Sequence, residues 1–132
     1  MTFGPTHIPI GTVYKMDVDH QSTGREQVAI GVKTPIGAEL WIRLNNVARD
    51  PVSMFSVDPV ELADLIDYGD MVIGVCHTHL WSPQPSELDI DQLGWVGFDV
   101  EEPVGYIWSC WARTLVQYNK AGEKVLVWPT LQ

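Results

Sequence analysis

Met71-Val-Ile-Gly-Val-Cys-His-Thr-His-Leu-Trp-Ser-Pro-Gln-Pro-Ser-Glu-Leu-Asp89 is the stretch on which the reading of this chain turns. Its opening, Met71 to Cys76, is the longest clean apolar run in the sequence. A run of that length, apolar on both faces, predicts a central strand. His77–Pro85 is polar and Pro-rich and reads as a loop, and a helix is expected from Ser86. His77 and His79 leave the strand at spacing i, i+2, which in extended chain turns both rings to the same side. Two imidazoles held that way can chelate one divalent cation, and Asp89, returned by the loop, can add an oxygen. Three protein ligands and a fourth position for water make the pattern of a catalytic zinc site, where the pKa of the water drops from ~16 to ~7. A plainer reading fits the same residues. His-x-His pairs arise by chance at strand ends, Ser86-Glu-Leu-Asp89 matches a capping box with Asp89 bonding back to the helix start, and Pro83-Gln-Pro85 matches a stiff turn. Spacing alone leaves both open.

Outward from this stretch, strands and helices interleave. Upstream, Gln27–Lys33 and Ala38–Leu44 flank Thr34-Pro-Ile-Gly37 and read as a hairpin. Residues 45–57 read as loop with a short strand around Phe55. A helix should open at Asp58, with Pro59 in the first turn, Glu61 completing a capping box, Leu62, Leu65 and Ile66 as its apolar stripe, and Gly69 at its end. Downstream, Val104–Ser109, Ala112–Tyr118 and Lys124–Trp128 read as strands, the last two joined by Asn119–Glu123. In residues 1–25, Gly4, Pro5, Pro9 and Gly11 argue against an initial helix, while Tyr14, Met16 and Val18 alternate as a strand would. The fold class expected is α/β, a single domain over residues 1–132 with a mixed sheet flanked by helices and an unassigned segment at 1–25.

Composition narrows the function. The 132 residues carry 8 Lys+Arg against 17 Asp+Glu, a formal charge of −9, and no basic cluster, which argues against nucleic acid as a partner. At 45 % hydrophobic residues the chain can build a core, yet no stretch nears the ~20 apolar residues of a membrane helix. Its N-terminus lacks the basic start and apolar stretch of a signal peptide. Cys76 and Cys110 sit in apolar segments, so buried, reduced thiols and a cytoplasmic setting are expected.

The motif resembles that of the JAMM (JAB1/MPN/Mov34) metalloprotease family: His-x-His, seven residues, Ser, two residues, Asp. Here His77-Thr-His79 is followed by six residues and then Ser86-Glu-Leu-Asp89. Ser82-Pro-Gln-Pro-Ser-Glu-Leu-Asp89 is similar to prokaryotic and phage versions, closest in style to JAB domains of phage tail assembly proteins of the lambda K type. Gly24-Arg-Glu26-Gln-Val-Ala-Ile30 stands where the family carries an early catalytic Glu, and Asn46 to Pro51, Phe55 and Asp58-Pro59 resemble the family's next landmarks. Leu80 replaces the usual Pro, and Val28 and Ala29 replace Cys and Gly.

The resemblance implies zinc held by His77, His79 and Asp89. It makes Glu26 the general base that takes a proton from metal-bound water, and Ser86 a stabiliser of the oxyanion. It also implies a peptidase or isopeptidase acting on a protein or peptide, such as a ubiquitin-like or phage tail protein, in the cytoplasm (the host's, for a phage protein). The alternative is a non-catalytic JAMM-like assembly module. Glu39 is the reserve general base, and Glu26 beside Arg25 also reads as an ordinary exposed carboxylate. Of Trp41, Trp81, Trp95, Trp108, Trp111 and Trp128, most are expected in the core or on sheet faces. Trp81, two residues past His79, is the candidate for substrate binding. His7 and His20 are expected at the surface, Asp91 pointing away from the site, and Asp99–Glu102 in a solvated loop.

Overall fold

Pairing of β1 (Val28–Lys33) with β2 (Glu39–Leu44) forms the expected hairpin, in register from Val28 opposite Leu44 to Lys33 opposite Glu39. The structure, a computed structural model, describes residues 8–94 and 97–129. The remaining strands are β3 (Met71–His79), β4 (Val104–Ser109), β5 (Thr114–Tyr118) and β6 (Lys124–Trp128). They join one mixed sheet in the order β2-β1-β3-β4-β5-β6. β3 pairs antiparallel with β1 and parallel with β4, which makes it central, as its apolar run implies.

That strand is longer than its apolar run. His77, Thr78 and His79 are strand, not loop, because β4 continues beside them: His77 lies opposite Ile107, Thr78 opposite Trp108 and His79 opposite Ser109. The Cys110 amide then donates to the His79 carbonyl at 2.9 Å. Ladder partners, not side-chain polarity, decide where the strand stops.

The N-terminal segment overturns its strand reading, for Ile10–Thr23 is a helix, α1. Its buried residues Val13, Met16, Asp17 and His20 fall at i, i+3, i+4 and i+7. Two of the four are polar, so no apolar stripe shows in the sequence. Of the other two residues of the apparent strand alternation, Val18 is exposed and Tyr14 lays its ring edge-on to Trp108 and Trp128. Pro9 stands before the first turn and Gly24, at φ +72°, ends the helix. Asp17 ties α1 to the sheet by accepting from the Trp108 indole at 2.9 Å and from Arg113 at 2.6 Å. Burial works against its charge, but these donors hold its carboxyl below the usual range.

α1 covers one face of the sheet, packing Val13 and Met16 with Ala29, Cys76, Tyr106, Trp108 and Leu115. The opposite face carries Val28, Ile30, Val75, Ile107 and Tyr118 under Phe55, Leu93, Leu62 and Ile66. Helices α2 (Pro59–Leu65) and α3 (Glu87–Gln92) supply part of that cover. Asp58 caps α2 by accepting from the Val60 amide, but Glu61 does not close a capping box; it turns to the Asn45 backbone and side chain at 2.9 and 2.6 Å. The helix stops at Leu65, short of Gly69, and Leu65 itself is exposed. Phe55 is buried from an irregular loop, with no strand around it, and β5 begins at Thr114 rather than Ala112. Trp108 is in the core, Trp41 and Trp128 pack partly against it, and Trp111 is exposed. Both cysteines are free and buried. His7 and Trp95 lie outside the described residues. Among the described residues no helix is long and apolar enough to cross a membrane.

Removing the Asp17 carboxylate leaves a buried indole N–H without an acceptor. Asp17→Ala is therefore expected to lower stability by about 2–4 kcal/mol, read as a reduced urea midpoint at unchanged slope.

Candidate active site

Antiparallel pairing sets Val28 directly opposite His77. Since alternate residues share a face, Glu26 enters the sheet on the side of His77 and His79. The ligating atoms of Glu26, His77 and His79 lie within 4.8 Å of one another. The two Nε2 atoms are 3.0 Å apart. Asp89 approaches both, Oδ1 at 3.3 Å from His77 Nε2 and Oδ2 at 3.2 Å from His79 Nε2.

Asp89 arrives there through the capping box. Its amide donates to Ser86 Oγ at 3.1 Å, and its Oδ2 accepts from the Ser86 amide at 2.9 Å. The two readings that the spacing left open are thus one device: capping α3 fixes the rotamer that turns Asp89 on the histidines. Six residues between His79 and Ser86 are enough for this return. Ser86 is at the surface, and its hydroxyl, having accepted one N–H, keeps its hydrogen to donate.

Each ring is held from behind. His79 Nδ1 lies 2.9 Å from the Ser82 carbonyl, which can only accept, so Nδ1 carries a proton, and when the ring is neutral Nε2 presents a lone pair. His77 is fully buried and stacks on Phe55 with centroids 4.4 Å apart. Two imidazole nitrogens and carboxylate oxygens facing one point repel unless a cation or a proton stands among them. That donor set, nitrogen with carboxylate oxygen, fits a divalent ion of the zinc type.

Glu26 is not the exposed carboxylate that its neighbour Arg25 suggests, being only 5 % exposed. Its amide donates to the Pro51 carbonyl at 2.7 Å, and its carbonyl accepts from Asn46 Nδ2 at 2.9 Å. Asn46 also donates to the Met54 carbonyl and accepts from the Ala48 and Ser56 amides, so one side chain folds the loop that carries Phe55 and pins Glu26. Glu39, opposite Lys33, is at the far end of the hairpin, five strand residues or about 17 Å away, and is not near the site.

His20 is a second correction: it is buried, not at the surface. Thr78 Oγ1 accepts from the Gln27 amide at 2.8 Å and shares a hydrogen bond of 2.6 Å with His20 Nδ1. This chain runs from α1 through the residue between the two histidines to the residue beside Glu26. No sequence signal could find it, because His20 and Thr78 are 58 positions apart. Trp81 is 64 % exposed beside Trp111, which is 70 % exposed, with ring centroids 6.3 Å apart. Asp91 is exposed, as expected.

No family model and no curated protein sequence matches the chain. Among solved structures it is similar to a JAB1/MPN domain protein from Archaeoglobus fulgidus, with a TM-score of 0.51 and 18 % identity over 86 % of this chain and 87 % of that one. The chain has a JAB1/MPN fold. At that identity the likeness is one of backbone.

Within the JAB1/MPN fold the four polar groups perturb one another. Burial raises the Glu26 carboxyl to about 7, with His79 pulling it down and Asp89 pushing it up. Burial works against protonating His79, but Asp89 and Glu26 outweigh it and the pKa rises, whereas burial wins at His77 and lowers it. Asp89 resists burial through its donors and stays well below the usual carboxylate range. A carboxyl whose folded pKa is raised is stabilising below its unfolded value and loses that as pH climbs through about 7. In a chelator-treated protein Glu26→Gln is therefore expected to raise stability at pH 8 by about 2 kcal/mol relative to wild type, and by much less at pH 5, in paired thermal melts.

Proposed function

We propose that the chain is a zinc-dependent peptidase or isopeptidase, with His77, His79 and Asp89 as metal ligands and Glu26 as the general base. The observation that carries this is the meeting of Glu26, His77 and His79 within 4.8 Å, with Asp89 closing on the two imidazoles from α3. Two imidazole nitrogens and one carboxylate would hold the ion with three protein ligands, the number that catalytic zinc sites use. Zinc there supplies Lewis acidity, polarising a carbonyl and lowering the pKa of water from ~16 to ~7.

The chain's own residues manage the protons and the charge. Glu26, poised near neutrality, accepts a proton from the attacking water and returns it to the amine nitrogen as the C–N bond breaks. The Ser86 hydroxyl donates to the oxyanion that develops on the carbonyl. Trp81, exposed on the loop after His79, contacts the substrate. The substrate belongs to the protein or peptide amides, with ubiquitin-like and phage tail proteins brought forward by the family resemblance, in a cytoplasmic setting. A net charge of −9 disfavours nucleic acid.

A second reading, a non-catalytic assembly module such as a phage tail component, draws on the exposed pair Trp81 and Trp111, whose rings offer apolar area to a protein partner. Elemental analysis and a peptidase assay separate the two. The enzyme reading expects about one zinc per chain, lost in His77→Ala and Asp89→Asn and kept in Glu26→Gln. It expects Glu26→Gln to cut turnover by at least ~10²-fold. Normal turnover in Glu26→Gln rejects the base assignment, and a chain that takes up no zinc at neutral pH favours the assembly module.

A further inference from the structure

Arg25 and Gln27 flank Glu26 in the chain, and both line a polar cleft of about 550 Å³ together with Arg43, Asn45, Asn46 and Glu61. Asn46 joins this cleft to the active site, since its Nδ2 donates to the Glu26 carbonyl. The charged groups around the cleft are mostly engaged. Arg43 Nη2 donates to Gln27 Oε1 at 2.6 Å and pairs with Asp19 at 3.1 Å. Glu61 accepts from the Asn45 amide at 2.9 Å and from Asn45 Nδ2 at 2.6 Å. Both carboxylates at the cleft thus have their donors.

Arg25 differs. It enters the hydrogen-bond network only by its backbone, its amide donating to Thr23 Oγ1 at 3.2 Å and its carbonyl accepting from Gln27 Nε2 at 3.0 Å. Its guanidinium has no hydrogen bond or ion pair among the described residues. A free guanidinium on a fastened backbone, beside a second one already immobilised, is a fork of donors that lacks its acceptor.

We propose that this cleft binds a single carboxylate of a peptide, Arg25 making the bidentate pair and Arg43 adding its charge. A carboxylate presents the planar, two-oxygen edge that a guanidinium matches. A phosphate dianion suits the cleft less, because Asp19, Glu61 and a net charge of −9 repel a second negative charge. An Asp or Glu side chain and a chain terminus carry the same group, and either can supply it. None of the four groups at the metal site lines the cleft, so this binding does not depend on the zinc reading.

Small probes test it in ¹H–¹⁵N spectra: acetyl-glutamate amide with a side-chain carboxylate, acetyl-glycine with a terminal one, and acetyl-glutamine amide as the neutral isostere. At low salt at least one carboxylate is expected to shift the Arg25 Nε–H and the Gln27 side-chain amide, with a Kd of about 1–10 mM, and the isostere to shift neither. The tighter of the two carboxylates names the source. Arg25→Gln breaks no hydrogen bond or ion pair of the Arg25 side chain among the described residues, so the fold is kept. It is expected to weaken binding ~10-fold, read at Gln27, and Arg25→Lys to weaken it less. Equal binding by Arg25→Gln, equal shifts from the isostere, or no shift at these resonances overturns the proposal. Inorganic phosphate binding more tightly than either carboxylate overturns the choice of a monoanion. Zinc content and turnover enter none of these readouts, so the site and the zinc reading fail separately.

Discussion

The pairing of β1 with β3 is the constraint on which the site depends. It sets Val28 opposite His77 and so fixes where the chain before Val28 can pass. Because the side-chain period of a strand is two, Glu26 must share the face of His77 and His79. A slip of one residue would send Glu26 to the α1 face, among the apolar residues around Met16. The register is secured by what lies on both faces, Ala29 and Cys76 on one and Val28 and Ile30 on the other, so core packing positions the chemistry.

Four ionisable groups gathered in a largely buried place are costly, and the surroundings show how the cost is contained. Asp89 is held by the capping box of α3, His79 by the Ser82 carbonyl, Glu26 by hydrogen bonds to its backbone from both sides, and His77 by the Phe55 ring. Two of these supports, the capping box and the Ser82 carbonyl, lie within residues 77–89, and the other two come from the loop of Asn46, Pro51 and Phe55. The geometry therefore rests on local capping and on tertiary packing together. The same arrangement separates the roles that two carboxylates can play: Asp89, rich in donors, stays ionised, while Glu26, poor in them, titrates near neutrality.

α1 connects to this centre by polar contacts as well as by packing. Asp17 anchors the helix to Trp108 and Arg113, and His20 reaches the hydroxyl of Thr78, which sits between the two histidines. Those polar contacts are the reason the helix was illegible. An amphipathic helix announces itself by an apolar stripe, and here half of the stripe is Asp17 and His20, whose burial makes sense only once Trp108, Arg113 and Thr78 are in place.

From the sequence by itself one could determine the central strand, the hairpin before it, the capping signals at Asp58 and Ser86, the strands after Gly97, and the candidate ligands His77, His79 and Asp89. These arise from local periodicity, turn chemistry and short spacings, which neighbouring residues carry among themselves. Only the tertiary structure decided that Asp89 caps α3 and faces the histidines at once, that Glu26 is buried and Glu39 distant, that β3 extends through His79, and that His20 and Tyr118 touch the site's framework. Apart from the turn of Asp89 onto the histidines, each of those depends on partners far away in the chain. Burial, and with it the protonation of Glu26, is a property of the assembled neighbourhood and not of the segment that bears it.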